Sequence, residues 1–170
     1  MTDFKHPKDG VVTIVSKDDG TNVTAQYNPK ELQVDKNVPW NKPSQTNKSN
    51  GTGITLEYAG AEGRSLTLEL LFDGYEQKTS VKPEVDKLNQ LASVWQPGEK
   101  NEEKRRPHFC KLKWGKTLED FMCVIEQLSV KYTMFSEAGD PLRATCTVKF
   151  KEADSVTGKK ADATGGKGNA

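Results

Sequence analysis

Between Gln127 and Phe150 apolar and polar residues alternate with a strictness that specifies a β-hairpin. Leu142, Ala144, Cys146, Val148 and Phe150 alternate with Arg143, Thr145, Thr147 and Lys149. Upstream, Leu128, Val130, Tyr132 and Met134 alternate with Ser129, Lys131, Thr133 and Phe135. A period of two is the pattern of strands with one buried and one solvated face. The six residues between the runs, Ser136 to Pro141, are rich in turn formers. The hairpin sets the class as mainly β. It also gives nearly every chemically interesting side chain a structural part, which weighs against catalysis.

Other segments extend the same picture. Val11 to Val15 and Thr21 to Tyr27, joined by Lys17-Asp18-Asp19-Gly20, read as a first hairpin that stops at Asn28-Pro29. Ile54, Leu56 and Tyr58 form an alternating strand, and Leu66, Leu68, Leu70 and Phe72 a stronger one. Leu71 breaks that alternation, as expected where a second face is covered. Val81, Val85, Leu88, Leu91, Ala92 and Trp95 recur at steps of three and four and predict one helix. Thr79 or Ser80 would cap it, Pro83 suits its first turn, and Pro97-Gly98 would end it. Pro107 to Trp114 reads as a strand with Cys110, Leu112 and Trp114 inward. Phe121 to Met134 is one long strand whose phase changes near Glu126 and Gln127, as a bulge would cause.

Asn37 to Gly53 is a long polar stretch with Trp40 isolated inside it. Such loops are usually functional or disordered, and the tryptophan is either a clasp over its own core or an interface anchor. After Glu152 only Val156 is a sizeable apolar residue, so the 153–170 segment reads as a flexible tail. The domain is expected over 11–152, with residues 1–10 as an N-terminal arm.

Composition excludes several classes. The 170 residues suffice for one domain, and a net charge of +1 provides no field toward nucleic acid or membranes. The longest apolar run, Phe121 to Ile125, is far too short for a membrane span. The first residues lack a secretory signal, so cytoplasmic folding is expected. Three cysteines, Cys110, Cys123 and Cys146, are an odd number without metal-ligand spacing. Cys110 and Cys146 fall in phase with core residues. Only two histidines exist, His6 and His108. His108 and Cys110 share a strand face, but a core-facing thiol without an electropositive setting is a poor nucleophile. Phosphate loops and calcium loops are absent. The charged stretch Glu99 to Arg106 nearly cancels and reads as a solvated loop. The residues thus describe an interaction or assembly module. An enzyme built on Cys110 and His108, or a cytosolic ligand-binding β-barrel, stands as the alternative class.

Several segments then carry a resemblance. These are Tyr27-Asn28-Pro29-Lys30-Glu31-Leu32, the Leu66 to Tyr75 strand ending in Phe72-Asp73-Gly74-Tyr75, and the helix over 81–91. Arg106-Pro107-His108-Phe109-Cys110, Lys113-Trp114-Gly115, Tyr132 to Phe135, Gly139 to Ala144 and Phe150-Lys151-Glu152 follow in order. Together they resemble the tube-type proteins of contractile injection systems, the phage-tail-like particles and related phage baseplates. The resemblance implies a tail-tube-like β-sandwich or partial barrel with one flanking helix (mainly β, α+β). It implies a structural subunit rather than an enzyme, with no cofactor or metal. It further implies a sixfold ring at the baseplate that links the spike hub to the inner tube and templates tube assembly. The implied partners are further copies of the chain, the inner tube protein, and the spike, hub and other baseplate proteins. Assembly would be cytoplasmic, into a phage-tail-like particle. Many members carry a C-terminal LysM domain. Only the Gly/Lys-rich tail follows Glu152 here, so a role through LysM is not carried over. An inner-tube subunit proper remains the alternative. Trp40, Arg64, Arg105 and Arg106 are the candidate interface residues, because tryptophan and arginine concentrate binding energy.

Overall fold

The computed structural model describes residues 10–43 and 53–159. The expectations for most of the N-terminal arm, for the centre of the 37–53 stretch and for the end of the tail lie outside the described residues. In chain order the elements are β1 (Thr13–Ser16), β2 (Asn22–Thr24), β3 (Gln33–Asp35), β4 (Trp40–Asn41), β5 (Glu57–Tyr58) and β6 (Ser65–Asp73). Helix α1 (Lys82–Ala92) follows, then β7 (Val94–Trp95), β8 (Arg106–Pro107), β9 (Cys110–Trp114), β10 (Leu118–Phe135) and β11 (Pro141–Glu152). A 3-10 turn occupies Glu102–Lys104.

Seven strands form one antiparallel sheet in the order β2-β1-β9-β10-β11-β6-β3. The long hairpin sits near its centre, and its period-two pattern is the reason. Ala144, Cys146, Val148 and Phe150 are buried on one face, opposite Phe72, Leu70, Leu68 and Leu66 of β6. On the other side of β11 the register shifts between Ile125 and Gln127, so Ile125 faces Phe150 and Leu128 faces Val148. The extra residue, Glu126, is the bulge expected from the phase change. Phe121, Cys123 and Ile125 precede it and Leu128 and Val130 follow it, all on the core side. A strand without this insertion would turn one of the two sets to solvent.

Helix α1 buries Val85, Leu88 and Leu91 against the concave face. It packs on β10 and β11 in the middle of the sheet and on β2 at one edge, so the sheet curls around it. The gap between the two edge regions is bridged by one side chain. The Gln26 amide accepts from the Asp73 N–H at 2.7 Å and donates to the Asp73 carbonyl at 2.8 Å. An amide side chain thereby stands in for a neighbouring strand. The result is the partial barrel with a flanking helix, a mainly β, α+β fold.

Four local expectations are corrected. The helix stops at Ala92, and Trp95 leaves the apolar stripe to pair with Arg106 in the β7–β8 ribbon. Its N-cap is Val81, without a side-chain cap; the Ser80 hydroxyl accepts instead from the Lys82 N–H at 3.2 Å. Ile54, Leu56 and Tyr58 join no core strand. Only Glu57 and Tyr58 are paired, in a separate ribbon with β4, and all three apolar residues are exposed. Leu71 is exposed as well, so its second face is not covered among the described residues.

Phe150 is fully buried between β10 and β6. Phe150→Ala is expected to lower unfolding stability by about 3–5 kcal/mol, read as a lower urea midpoint at unchanged slope.

Candidate functional site

The one constellation that looks catalytic on paper is built as a structural clasp. His108 is 2% exposed, and its Nδ1 lies 2.7 Å from the Ser16 hydroxyl. The Ser16 oxygen already accepts the N–H groups of Asp18 and Asp19 at 3.1 and 3.4 Å. Which partner of the Ser16–Nδ1 bond supplies its proton depends on the ring tautomer. The nearest Asp19 carboxylate oxygen approaches that same nitrogen, at 3.7 Å. A hydrolytic triad needs serine and aspartate on opposite ring nitrogens, so this arrangement is not such a triad. The Cys110 Sγ faces the backbone carbonyl of His108 at 3.7 Å rather than its ring. Burial pushes the Cys110 thiol up to about 12 and that of Cys146 to about 11, and raises Cys123 further. The Cys110–His108 pair considered from sequence does not form. Among the described residues no group of three or more His, Cys, Asp or Glu is placed to hold a metal ion. No described helix is long and apolar enough to cross a membrane.

The three candidate arginines are each engaged within the chain. Arg106 makes a two-pronged pair with Asp18, at 2.8 and 3.0 Å, with side chains 17% and 11% exposed. The same carboxylate accepts the Phe109 N–H at 2.9 Å. This ties the β1–β2 turn to the segment entering β9. The Arg106 guanidinium holds the Asp18 carboxyl below its ordinary range. Arg64 pairs with both oxygens of Glu152 at 3.0 and 2.9 Å and lies over the Phe121 ring, 5.2 Å from its centroid. Arg105 pairs with Glu102 at 3.2 Å, in the turn where Gly158 donates its N–H to the Glu103 carbonyl. A side chain at Gly158 would collide with the Glu102 and Arg105 carbonyls, so only glycine lets the chain after β11 lie there.

Trp40 has a different setting. It is 55% exposed, and its ring packs at a tilt on that of Tyr58, with centroids 5.6 Å apart. It clasps no core. Ile54 (84% exposed), Leu56 and Val38 stand exposed beside it. Two further surfaces are open. Among the described residues the strand edge at Glu69 and Leu71 has no partner, because β3 covers only Ser65–Thr67 and Gln26 covers only Asp73. The tip of the β10–β11 hairpin exposes Tyr132, Met134 and Phe135. Sequence reasoning flagged Trp40 but placed Ile54 to Tyr58 and Tyr132 to Met134 in strands with an apolar face. Alternation marks such a face without saying whether the same chain covers it.

The open-edged partial barrel with uncovered apolar surfaces is the architecture of an assembly subunit. The family model for contractile injection system tube proteins matches residues 12–161, and the chain belongs to that family. No individual curated protein matches the chain. Membership makes this a structural tube-type protein of a contractile injection system, one that assembles with copies of itself and with other components of a phage-tail-like particle.

Two predictions follow from the buried groups. Because its folded value is depressed, Asp18 contributes stability that is complete above its ordinary 3.8 and is lost as pH falls through the folded value. Asp18→Asn is expected to cost about 2–3 kcal/mol near neutral pH and to flatten the acid limb of the stability–pH curve measured by urea unfolding. All three thiols should resist maleimide in the native protein and react at once in denaturant, since each is fully buried.

Proposed function

We propose that this chain forms a ring at the baseplate, sixfold in symmetry, which joins the spike hub to the inner tube and templates tube growth. The observation that carries the reading is the family match across nearly the whole domain. The open β6 edge supports it, because an unpaired strand edge in a native protein is a ready site for another chain. Trp40 is the proposed interface anchor, being large, apolar and uncovered. Arg64 and Arg105 retain exposed guanidinium surface beside their internal pairs and are proposed at the rim of such contacts. Arg106 is proposed to act through Asp18, by fixing the turn that precedes β2. The inner tube, spike, hub and other baseplate proteins are the proposed partners.

A second reading, an inner-tube subunit proper, is favoured by the family's description as a tube protein. Quantitative mass spectrometry of sedimented particles from the native source separates the two. A low fixed ratio to the sheath protein is expected for the baseplate ring. Parity with the sheath would make the chain the tube itself, and absence from particles would overturn both readings.

A further inference from the structure

We propose that the N-terminal arm, residues 1–9, lies as a further antiparallel strand along the free edge of β3, with Phe4 level with Val34. The arm and β1 then form one continuous strand that borders both β2 and β3, and the arm occupies an edge that another chain would otherwise find open. The placement is independent of where the subunit sits in the particle.

The β3 edge is open in a specific way. β3 pairs with β6 through Gln33, Val34 and Asp35 and has no neighbour on its other side among the described residues. Asp73 of β6 turns its N–H and C=O away from β11, to the Gln26 side chain. Alternation makes Thr67 and Ser65 do the same, so they bond Gln33 and Asp35, and Val34 between them directs its own N–H and C=O to the open edge. The Val34 side chain points to the core side, level with the fully buried Leu66, and is nonetheless 49% exposed. An open N–H, an open C=O and a half-covered core-facing side chain thus coincide at one residue.

The chain before β1 is aimed at this edge. The Ala25 N–H reaches the Val12 carbonyl at 2.9 Å, so the even-numbered residues of β1 turn their backbone groups to β2 and their side chains to the core. On β2 the odd residues Val23 and Ala25 face the core, and on β3 the even residues Leu32 and Val34 do. One residue is therefore spent between them, at Asn28-Pro29, as in a bulge. There the Asn28 side chain accepts the Val12 N–H at 3.2 Å and donates to the Gly10 carbonyl at 2.6 Å, which holds the chain alongside back to Gly10. Ile14 faces Val23. Ten residues before Ile14 is Phe4; ten after Val23, with the bulge residue added, is Val34. Both parities then agree. Phe4 shares the backbone direction and the core side of Val12 and Ile14, so it bonds Val34 and covers its side chain. Lys5, on the solvent side, falls opposite Gln33 and between Glu31 and Asp35, an acidic setting for a cation. Pro7 has the odd parity, so its missing N–H belongs to the outer side, where no ladder bond is lost.

Full-length chains carrying Val34→Cys with either Phe4→Cys or Lys5→Cys test the register, since the three native cysteines are buried. Directly opposed residues that exchange backbone bonds have Cα atoms about 5.5 Å apart, within disulfide reach. With diamide and dilute protein, the 4–34 disulfide is expected within one chain, at least about tenfold faster than the 5–34 disulfide, whose thiols lie on opposite faces. Equal rates, no 4–34 product, or a 4–34 product that joins two chains on a non-reducing gel would overturn the proposal. The last outcome would give the edge to another copy. Hydrogen exchange followed by NMR gives a second reading without added cysteines. The Val34 amide should be protected in the parent and exchange at least about tenfold faster in full-length Phe4→Asp, while the Leu68 amide in the sheet interior keeps its rate. A Val34 amide that is unprotected in the parent, or unchanged in Phe4→Asp, would overturn the proposal as well.

Discussion

The bulge at Glu126 is the constraint on which the rest of the architecture depends. Strand β10 is 18 residues long and serves two partners, β9 along its first part and β11 along most of its length. Its two halves carry their apolar residues in opposite parity. One inserted residue brings both sets to the same side, so Phe121 and Ile125 share a core with Leu128 and Val130. Each large apolar side chain that moves from water to core contributes about 1.5–3 kcal/mol. A register without the insertion would forfeit several of these at once. Bulges also increase local twist, which suits a sheet that must curl far enough for β2 and β10 to touch the same helix.

Polar groups then fasten what the core has brought together. Gln26 closes the barrel gap at Asp73, and the Asp73 carboxylate accepts the Tyr75 N–H at 3.0 Å and pairs with Arg143 at 2.9 Å. The Tyr75 bond, reinforced by Arg143, keeps this carboxyl low. Asp18 does the same at the opposite end of the sheet, where one carboxylate serves Arg106 and the Phe109 amide. Arg64 and Glu152 fix the start of β6 to the end of β11. In each case a charged group ties together elements far apart in sequence. His108 follows this logic too: its buried ring bonds the Ser16 hydroxyl and joins the segment entering β9 to the end of β1.

With the polar groups committed to holding the fold, the uncovered apolar surfaces are the proposed contact features. The ribbon face, the hairpin tip and the Glu69–Leu71 edge are groups that a monomer would conceal. In a family whose members assemble with copies of themselves, they are the proposed contact surfaces. A groove of about 620 Å³ lies at the seam between β2, the end of β6 and the start of α1, lined by Gln26, Phe72, Gln77 and Thr79 among others.

The sequence by itself determined the elements whose signals are local. Alternation marked the long hairpin, the parity change located the bulge, and Asp19-Gly20 announced the first turn. The 3.6-residue stripe marked the helix, and the ordered motifs pointed to the tube family. Only the tertiary structure decided which apolar faces are covered. Ile54, Leu56 and Tyr58 alternate as cleanly as Leu66, Leu68 and Leu70, yet the first set stands in solvent and the second in the core. Trp95 belongs to the helical stripe by spacing, but β8 lies close enough to pair with it. Arg64 and Arg106 read as free anchors until Glu152 and Asp18, each 88 residues away, are found beside them. Periodicity specifies the direction in which a side chain points; what it meets there depends on parts of the chain that no local pattern reports.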